Sequence, residues 1–366
     1  MASLNLLIIN SGSSSLKASF FKTDGSRRNF HFSKLGGDDT QSHHLAFEQL
    51  VHDLGEDRPE AIGHRFVHGG NVTDASRLID SQEYSRLESL IHLAPLHLPA
   101  NLLGIKLGEL YFGVPQVACF DTAFHSTLPE MAWRLPIPQE LGYRRYGFHG
   151  ISYAHIARRL PSLIGKIAEG NVVVAHLGSG ASLCLMQGLK SIDTSMGYTP
   201  AGGICMGTRS GDLDPGLMLA LSKQLDSAAL SQLVYKQMGL LALSDGLSSD
   251  MSELLASDLP AATFAVSYFS KSVRSTIAAY AANVGGIDAL VFTGGIGEHS
   301  ARVRAEICQS LGFIGIHLDE HANAQHLNHI NAANSIPVLV IAADEEQEIA
   351  NLTLTQLDGS NIPPLC

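Results

Sequence analysis

Short apolar runs and longer amphipathic segments alternate along the chain. The short runs have the length and β-branched content of buried strands, and turn residues bound them. They predict strands at 5–9, 16–21, 62–68, 116–120, 171–176, 182–186, 288–293 and 337–341. The amphipathic segments predict helices at 99–112, 152–160, 214–223, 261–284 and 345–357. This alternation predicts an α/β architecture in which helices cover the sheets.

Capping residues mark the ends of several predicted helices. Ser152 is expected to cap the second helix and Asp344 the last, where Gln347 occupies the capping-box position. The fourth helix is expected to end at Gly285-Gly286. Residues 30–60 are rich in Asp, His and Gly and show no clear period, so we expect surface structure there and assign no element.

One pattern occurs twice, about half the chain length apart. LIINSGSSSLKASF surrounds Asn10 and VVVAHLGSGASLCLM surrounds His176. Each stretch indicates a buried strand, a polar residue at its end, a Gly/Ser turn and a second strand, with Gly12 and Gly178 in equivalent places. A duplicated fold with one such hairpin in each half explains the repeat. The alternative is coincidence, because glycine and serine turns are common in hairpins.

The two turns suggest an anion-binding role. Small residues let the backbone approach a phosphate closely and present N–H groups to it. The first turn is not a Walker A loop, because GxxxxGK[ST] does not occur and strand periodicity follows Lys17. The turn at Gly178–Ser182 could face the first across a cleft and hold the other side of one polyphosphate. The alternative for Lys17 is a solvated strand lysine.

A third glycine cluster, FTGGIGEHS at 292–300, follows a predicted strand and opens a helix. With Asp319 about twenty residues later, it partly matches a dinucleotide-binding fingerprint. Ser300 occupies the position of the third glycine, however, and a lone GxG is a weak signal. A turn packed against a nucleoside fits this segment equally well.

Composition and charge narrow the class of protein. The 366 residues are 45% apolar, enough for two or three domains with a large core. The net charge of −11 argues against nucleic acid and anionic membranes as partners. No apolar run reaches membrane-spanning length, and the N-terminus lacks the pattern of a signal peptide. Five scattered cysteines without a CxxC pair indicate reduced thiols and a cytoplasmic protein, and argue against a disulfide framework.

Charged residues within apolar or glycine-bounded segments are the candidates for chemistry. Strand alternation puts Arg65 and Val67 on one face, where a guanidinium and a short apolar side chain suit a small acid. Arg209, in a polar loop, suits a phosphoryl group. The alternative for each arginine is a structural salt bridge. Seventeen histidines raise the question of a zinc site, but no HExxH occurs and the sequence argues against one.

Three further residues have two interpretations each. His149 is either a core histidine or a hydrogen-bond donor to a transferring phosphoryl group. Asp121 ends a predicted strand, where α/β proteins usually place their chemistry. Glu345 either stabilises the dipole of its helix or binds Mg²⁺, directly or through water.

Taken together, these segments resemble the acetate kinase family, short-chain carboxylate kinases of the sugar kinase, Hsp70 and actin superfamily. The resemblance extends from residue 10 to residue 346, and ten motifs in order are far more specific than any one. The matching stretches are NSGSSSLK, HRFVHGG, APLH, FDTAFH, RRYGFHG, HLGSGAS, DTSMGYTP, MGTRSGDLDPG, FTGGIGE and DEE.

The resemblance implies a fold and an activity. The fold would be a duplicated two-domain ASKHA (ribonuclease H-like, actin/hexokinase/Hsp70) fold with a central cleft. The N-terminal domain would comprise 1–125 plus 348–366, and the C-terminal domain, with the nucleotide site, 126–347. The activity would be reversible Mg²⁺-dependent transfer of the ATP γ-phosphoryl group to acetate, giving acetyl phosphate and ADP, in a homodimer. Mn²⁺ could replace Mg²⁺.

The resemblance also implies roles by position. The metal ligands would be Asn10 and Glu345, and the catalytic residues Asp121, His149 and Arg209. The acid-binding residues would be Arg65, Val67, Leu96, Phe148 and Pro200. Phosphate contacts would come from Lys17, His176, Leu177, Gly178, Ser179 and Gly180. The adenosine side would comprise Asp250, Met251, Ser252, Gly294, Gly295, Ile296, Gly297 and Glu298.

Electrostatics is consistent with these roles. A carboxylate is ionised at pH 7, so no strong base is needed, and the difficulty is bringing two anions together. A like-charge pair about 4 Å apart costs about 4 kcal/mol at an effective dielectric near 20. We therefore expect Mg²⁺, Lys17, Arg65 and Arg209 to neutralise charge. Asp121 is then expected to orient water, metal or an arginine rather than abstract a proton.

Departures from the family pattern leave some choices open. Ser179 stands where Asn is usual, Gly202 where many members have Glu, and Ser252 where an Arg often occurs. The phosphoryl donor could therefore be ATP, GTP or pyrophosphate. The alternatives for function are a propionate- or other short-chain-acid-preferring kinase, a non-catalytic ATP-binding regulatory module, and an NAD-dependent enzyme.

Overall fold

The computed structural model describes residues 4–11, 15–33, 40–95 and 97–359. The chain divides into two compact units. The first unit comprises Met1–Ser126, Gly150–His155 and Asp344–Cys366, and the second comprises Thr127–His149 and Ile156–Ala343. No helix in the described ranges is both long enough and apolar enough to cross a bilayer.

The described residues form strands and helices that alternate along the chain. The strands are β1 (Leu6–Ser11), β2 (Ser15–Phe21), β3 (Arg27–Ser33), β4 (Ala61–Phe66), β5 (Ser76–Leu78), β6 (Gln116–Phe120), β7 (Asn171–Leu177), β8 (Ala181–Gln187), β9 (Lys190–Thr194), β10 (Ala289–Thr293) and β11 (Val338–Val340). The helices are α1 (Thr40–Leu54), α2 (Ser81–Ser89), α3 (Leu98–Phe112), α4 (Glu130–Trp133), α5 (Gly150–Ile164), α6 (Pro215–Gln224), α7 (Ser227–Lys236), α8 (Gly239–Leu243), α9 (Met251–Leu255), α10 (Pro260–Val284), α11 (Gly294–His299), α12 (Ala301–Cys308), α13 (Glu320–Ala324) and α14 (Glu345–Leu357).

The first unit contains a six-stranded sheet in the order β3-β2-β1-β4-β6-β5. β1, β2 and β3 pair antiparallel, whereas β4 is parallel to β1 and β6 is parallel to β4. Both faces are covered: Leu7 and Ile9 pack in a cluster with residues of α1, and Leu6 and Ile8 pack in a cluster with residues of α14. Burial on both faces explains why β1 appears in the sequence as a continuous apolar run.

The second unit contains a five-stranded sheet in the order β11-β10-β7-β8-β9. β7, β8 and β9 pair antiparallel, β10 is parallel to β7, and β11 is parallel to β10. The long helix α10 contacts β7 and β8. It ends at Gly285, which adopts a left-handed conformation with φ 75°, so the predicted end of this helix is confirmed.

The two sheets repeat one topology. In each, an antiparallel meander of three strands is extended by two parallel strands next to the first strand of the meander. β5 is an additional strand at the edge of the first sheet. The predicted duplication is therefore confirmed: the hairpin β1–β2 and the hairpin β7–β8 occupy equivalent places in their sheets.

Every predicted strand and helix is present, with small shifts at the ends, but three predictions were wrong. Ser152 does not cap α5, because His149 takes a left-handed φ of 58° and the helix begins at Gly150. The strand predicted at 62–68 ends at Phe66. Residues 30–60 contain the end of β3 and helix α1. The apolar spacing of Phe47, Leu50 and Leu54 is helical and could have revealed α1.

The cap of the last helix agrees with its prediction in one respect. The Asp344 side chain accepts a hydrogen bond from the Gln347 backbone N–H at 3.0 Å. The Gln347 side chain does not complete a reciprocal box, because its Nε2 donates to Asn351 Oδ1 at 3.2 Å. α14 therefore begins where the sequence placed it, directly after Asp344.

Candidate active site

Polar side chains from β1, β4, the end of β6 and the start of α14 meet within the first unit. We call Asn10, Arg65, Asp121 and Glu345 the first group. Arg65 forms an ion pair with Asp121 through Nη2, and its Nη1 donates to Asn10 Oδ1 at 3.2 Å. Asn10 Nδ2 donates to Glu345 Oε2 at 3.3 Å, and Arg65 Nε lies 3.6 Å from the same oxygen. The structure thus brings four predicted site residues into contact.

Asp121 is fixed by the start of α5. It directly follows β6, as predicted, and its backbone carbonyl accepts a hydrogen bond from Gly150 N–H at 2.8 Å. Its Oδ1 lies 3.5 Å from the Ile151 backbone nitrogen. A Cβ on Gly150 would lie 2.1 Å from the Asp121 carbonyl oxygen, so only glycine permits this approach. The sequence analysis did not single out Gly150, although it closes the motif RRYGFHG.

Burial and charge act in opposite directions on the Arg65–Asp121 pair. Burial raises the pKa of Asp121 from its ordinary value of 3.8 to about 6, although the guanidinium of Arg65 acts to lower it. Burial alone would lower the pKa of Arg65, but the charges of Asp121 and Glu345 raise it above its ordinary value. At pH 7 both members of the pair are charged.

The first group can hold a divalent cation. Carboxylate and carboxamide oxygens are the ligands that Mg²⁺ prefers, and Mg²⁺ is commonly bound by one or two carboxylates while it keeps several waters. Asp121 and Glu345 place two carboxylates beside one arginine, so negative charge is in excess. Arg65 Nε, which is buried without a hydrogen-bond partner among the described residues, cannot bind a cation and is instead available to an anionic ligand. The donor set therefore fits Mg²⁺ with Asn10 and Glu345 as ligands.

Lys17 and Val67 lie next to this group in the sheet. Lys17 is directly opposite Asn10 in the antiparallel pair β1–β2, and it is exposed. Val67 is buried just beyond the end of β4. The first turn glycine, Gly12, and the predicted pocket residue Leu96 lie outside the described residues.

A second set of polar residues meets within the second unit. We call His149, His176, Gly180 and Arg209 the second group. The rings of His149 and His176 are tilted by 30° with centroids 4.4 Å apart, and His149 Nδ1 lies 2.9 Å from Ser182 Oγ. A Cβ placed on Gly180 would lie 2.7 Å from Arg209 Nη2 and 3.5 Å from His149 Nε2. The absence of a side chain on Gly180 thus lets the guanidinium of Arg209 approach the backbone of this turn closely.

Backbone hydrogen bonds shape this turn. Gly178 N–H donates to Gly180 O at 3.1 Å, and Ser179 O accepts from Gly207 N–H at 3.1 Å. Ser179 itself is exposed. Gly207 belongs to the loop that carries Arg209, so the turn and the arginine are held in a fixed relation. Ser182 ends the turn predicted at Gly178–Ser182, but its contact with His149 was not predicted; its place directly after the turn, on β8, is the signal that could have indicated it.

Arg209 is held by its own loop. Its Nη1 donates to the carbonyl of Pro200 at 2.6 Å, and its backbone carbonyl accepts from Met206 N–H at 2.9 Å. Burial lowers the pKa of Arg209 below its ordinary value, yet no guanidinium loses its proton at physiological pH. The predicted pocket residue Phe148 is buried next to His149. Pro200, predicted for the apolar pocket, is thus observed to hold Arg209 through its backbone carbonyl.

The predicted adenosine side lies on α9 and α11. Gly294 has a left-handed φ of 77°, and a Cβ there would lie 2.8 Å from the carbonyl oxygen of Leu177. Glu298 Oε1 accepts hydrogen bonds from Gly294 N–H and Ala343 N–H, both at 2.9 Å. Gly297 is buried, whereas Gly295 is exposed and Ile296 partly buried. The start of α11 is therefore packed against the strand that leads into the Gly178 turn.

The Asp250 segment is used for helix capping. Asp250 Oδ1 accepts from the backbone N–H groups of Ser252 and Glu253, at 2.8 and 3.1 Å, and from Ser252 Oγ. These hydrogen bonds lower the pKa of Asp250. Met251 is buried. Because Asp250 caps α9, its position is explained without a ligand. Its predicted contact with the nucleotide therefore stays a prediction.

Comparison with known proteins identifies the relatives of this chain. A sequence model of the acetokinase family matches residues 36–351. The chain belongs to the acetokinase family. It is 40% identical to an acetate kinase of Rhodopseudomonas palustris over 97% of this chain and 98% of that protein. Its predicted class, a kinase, is thereby confirmed.

Solved structures of acetokinase-family proteins share the fold. A propionate kinase of Francisella tularensis superposes with a TM-score of 0.86 at 34% identity, covering 95% of this chain and 98% of the other. An acetate kinase of Porphyromonas gingivalis superposes with a TM-score of 0.85 at 34% identity, covering 97% and 100%. The predicted fold class is confirmed, and acetokinases use nucleotide and carboxylate substrates.

Proposed function

We propose that this acetokinase transfers the γ-phosphoryl group of ATP to acetate, reversibly and with Mg²⁺, giving acetyl phosphate and ADP. The observation that carries the proposal is the partly buried Arg65 on β4, the strand that leads to the buried Val67. Its Nε is buried and lacks a hydrogen-bond partner in the described structure. A guanidinium beside a short apolar side chain suits a small carboxylate. Leu96, Phe148 and Pro200 are proposed to complete the apolar lining.

The reaction needs no proton transfer at the nucleophile. An oxygen of the ionised acid attacks the γ-phosphorus, the bond from that phosphorus to the bridging oxygen breaks, and ADP leaves with the electron pair. Arg65 is proposed to hold the acid, while Arg209, His149 and Lys17 stabilise charge on the transferring group. Asp121 orients Arg65 rather than acting as a base. Mg²⁺, when bound at Asn10 and Glu345, would neutralise phosphate charge.

The second group is proposed to contact the nucleotide. Small residues at Gly178, Ser179 and Gly180 leave the backbone accessible to phosphate. His176 and Leu177 continue this segment, and Gly294–Glu298 with Asp250–Ser252 would lie on the adenosine side. We also propose two domains at 1–125 plus 348–366 and at 126–347. The second would carry the nucleotide site.

A hydroxamate assay for acyl phosphate tests the proposal. Formate, acetate, propionate and butyrate would each be offered with ATP, GTP and pyrophosphate, and we expect the highest kcat/KM with acetate and ATP. Because one methylene in an apolar pocket is worth only about 1–3 kcal/mol, propionate should also react. A higher kcat/KM with propionate would establish the propionate-preferring alternative. No product with any acid and donor would reject the kinase proposal.

We further propose a cytoplasmic homodimer. The described cysteines, Cys119, Cys184, Cys205 and Cys308, are free and buried, which suits a reducing compartment. Helices α6 and α7 are rich in Leu and Ala, yet neither has a buried residue in the described single chain. Leu219 on α6 is 65% exposed. A second copy covering these helices would remove this apolar surface from water.

Sedimentation or light scattering tests the dimer. Leu219→Glu would place a charge in the proposed interface and is expected to yield monomers at micromolar concentration. Leu110→Glu, at a comparably exposed leucine of α3 in the first unit, is the matched control and should leave the dimer intact. A wild-type protein that is monomeric at all concentrations would refute the dimer.

A further inference from the structure

Arg27, at the start of the edge strand β3, binds the two acids that flank Glu345. Its Nη1 donates to both carboxylate oxygens of Asp344, at 2.8 Å each. Its Nη2 lies 3.6 Å from Oε2 of Glu346. Glu345, between them, instead contacts Asn10 and Arg65. The three consecutive acids at the start of α14, Asp344 to Glu346, therefore have two different sets of partners.

Arg27 is itself held in place. Its Nε donates to Asn29 Oδ1 at 2.7 Å, and Nη2 donates to Ser19 Oγ at 3.1 Å. The guanidinium lies over the Phe21 ring, 4.8 Å from the centroid. All three nitrogens of the guanidinium are thus engaged, and the side chain is only 25% exposed. A planar group fixed on every side positions its partners better than a flexible surface ion pair does.

The contact with Asp344 reaches the first turn of α14. Asp344 is the N-cap residue of this helix, and its Oδ1 also accepts from Gln347 N–H. Three adjacent carboxylates repel one another, although the helix dipole favours each of them. Arg27 neutralises the outer two, which leaves the charge of Glu345 for the first group.

We propose that Arg27 is a positioning residue for Glu345: by binding Asp344 and Glu346 it fixes the first turn of α14 so that the Glu345 carboxylate faces Asn10 and Arg65. The inference rests on the proposed function, because it takes Glu345 as a metal ligand. The sequence resemblance assigns no role to Arg27. Residues that orient metal ligands typically affect metal affinity about 10- to 100-fold.

Binding of Mn²⁺ to the full chain, followed by the EPR signal of free Mn²⁺ with ADP present, tests this role. We expect Arg27→Gln to weaken Mn²⁺ binding about tenfold. Arg27→Lys keeps the charge but loses the planar fork, so we expect weaker binding than wild type here too. The neighbour Arg28 pairs with Asp57 at 2.6 Å, and Arg28→Gln is the matched control with unchanged affinity.

The sign of the effect separates positioning from simple electrostatics. Loss of a nearby positive charge would by itself tighten cation binding, so unchanged or tighter Mn²⁺ binding in Arg27→Gln would overturn the proposal. Hydrogen exchange gives a readout independent of metal: the Gln347 amide should exchange faster in Arg27→Gln than in wild type or Arg28→Gln. Unchanged exchange would equally contradict the proposed role.

The two proposals can fail separately. Wild-type protein that binds no Mn²⁺ would overturn the metal site itself and, with it, the role of Arg27. Normal binding by wild type and Arg27→Gln alike would overturn only the role of Arg27. The apparent KM for acetate should stay near wild type in Arg27→Gln, because Arg65 keeps its ion pair with Asp121 and its hydrogen bond to Asn10. A rise in this KM equal to the loss of Mn²⁺ affinity would indicate a general structural defect instead.

Discussion

At the scale of single residues, each group contains a partly buried arginine whose charge the proposed reaction would use. Arg65 and Asp121 form an ion pair in which burial disfavours both charged forms, and each partner keeps the other ionised at pH 7. Arg209 is a guanidinium whose described polar contact is the carbonyl of Pro200. Because this carbonyl is neutral, the charge of the partly buried Arg209 is not balanced by it and can attract an anionic ligand. These two arginines suit the acid and the phosphoryl group respectively.

Replacement of Arg209 tests the phosphoryl-binding role. We expect Arg209→Ala to lose roughly 10²–10³ in kcat, because it removes one preorganised donor from the transition state. Steady-state kinetics of acyl phosphate formation measures this. Arg302→Ala, at an exposed arginine of α12 that pairs with Glu306, is a control expected to keep wild-type kinetics. A folded Arg209→Ala enzyme with near-normal turnover would refute the role.

The raised pKa of Asp121 predicts an acid limit to activity. Below about pH 6 Asp121 takes up a proton, Arg65 loses its counter-charge, and kcat/KM for acetate should fall. Asp121→Asn should have low activity and lack this inflection in its pH profile. A wild-type profile that is flat from pH 5 to 7, the range about the pKa of Asp121, would contradict the requirement for an ionised Asp121.

The same pKa has the opposite consequence for stability. The folded state binds the Asp121 proton more tightly than the unfolded chain does, because its pKa is about 6 when folded and 3.8 otherwise. The stabilisation is fully present below pH 3.8 and is lost as the pH rises through about 6. Folding therefore favours the protonated form of Asp121, whereas the proposed reaction needs the ionised form. Such a conflict between stability and activity is common at functional sites.

At the scale of elements, the two equivalent hairpins carry different polar residues at the end of their first strand. In β1–β2 the polar residue at the strand end is Asn10, which contacts Arg65 and Glu345. In β7–β8 it is His176, which stacks near His149. The parallel strand next to each hairpin carries or leads to another predicted site residue: Arg65 lies on β4, and Gly294 directly follows β10. In the proposed function, one topology would supply the acid and metal site in one unit and the phosphate site in the other.

The start of α11 offers a matched pair of glycines. A side chain at Gly294 would meet the backbone of Leu177 and be strained by the left-handed φ, whereas at Gly295 nothing lies within 4 Å. Gly294→Ala should destabilise the fold by more than about 1 kcal/mol and weaken ADP binding. Gly295→Ala should preserve stability. Thermal unfolding and calorimetric titration with ADP measure both; equal behaviour of the two variants would contradict this packing.

The elements also show where sequence patterns succeed and where they fail. β7 and β10 were predicted because four or more consecutive buried residues leave a clear apolar run. β3 was missed because it is an edge strand without a buried residue, in which exposed residues such as Asn29 and His31 alternate with partly buried ones. α5 was placed two residues late, because its start depends on the contact of Gly150 with Asp121, which is distant in sequence.

At the scale of the whole molecule, the sequence by itself determined the α/β class, the internal duplication and the membership of a family. These depend on apolar periodicity, turn residues and ordered motifs, all of which are local. Only the tertiary structure decided that Arg65 contacts Asn10, Asp121 and Glu345. It likewise decided that Arg27 binds Asp344 and Glu346, the acids on either side of Glu345. Those contacts join residues far apart in the chain, and no local pattern encodes a pairing between them.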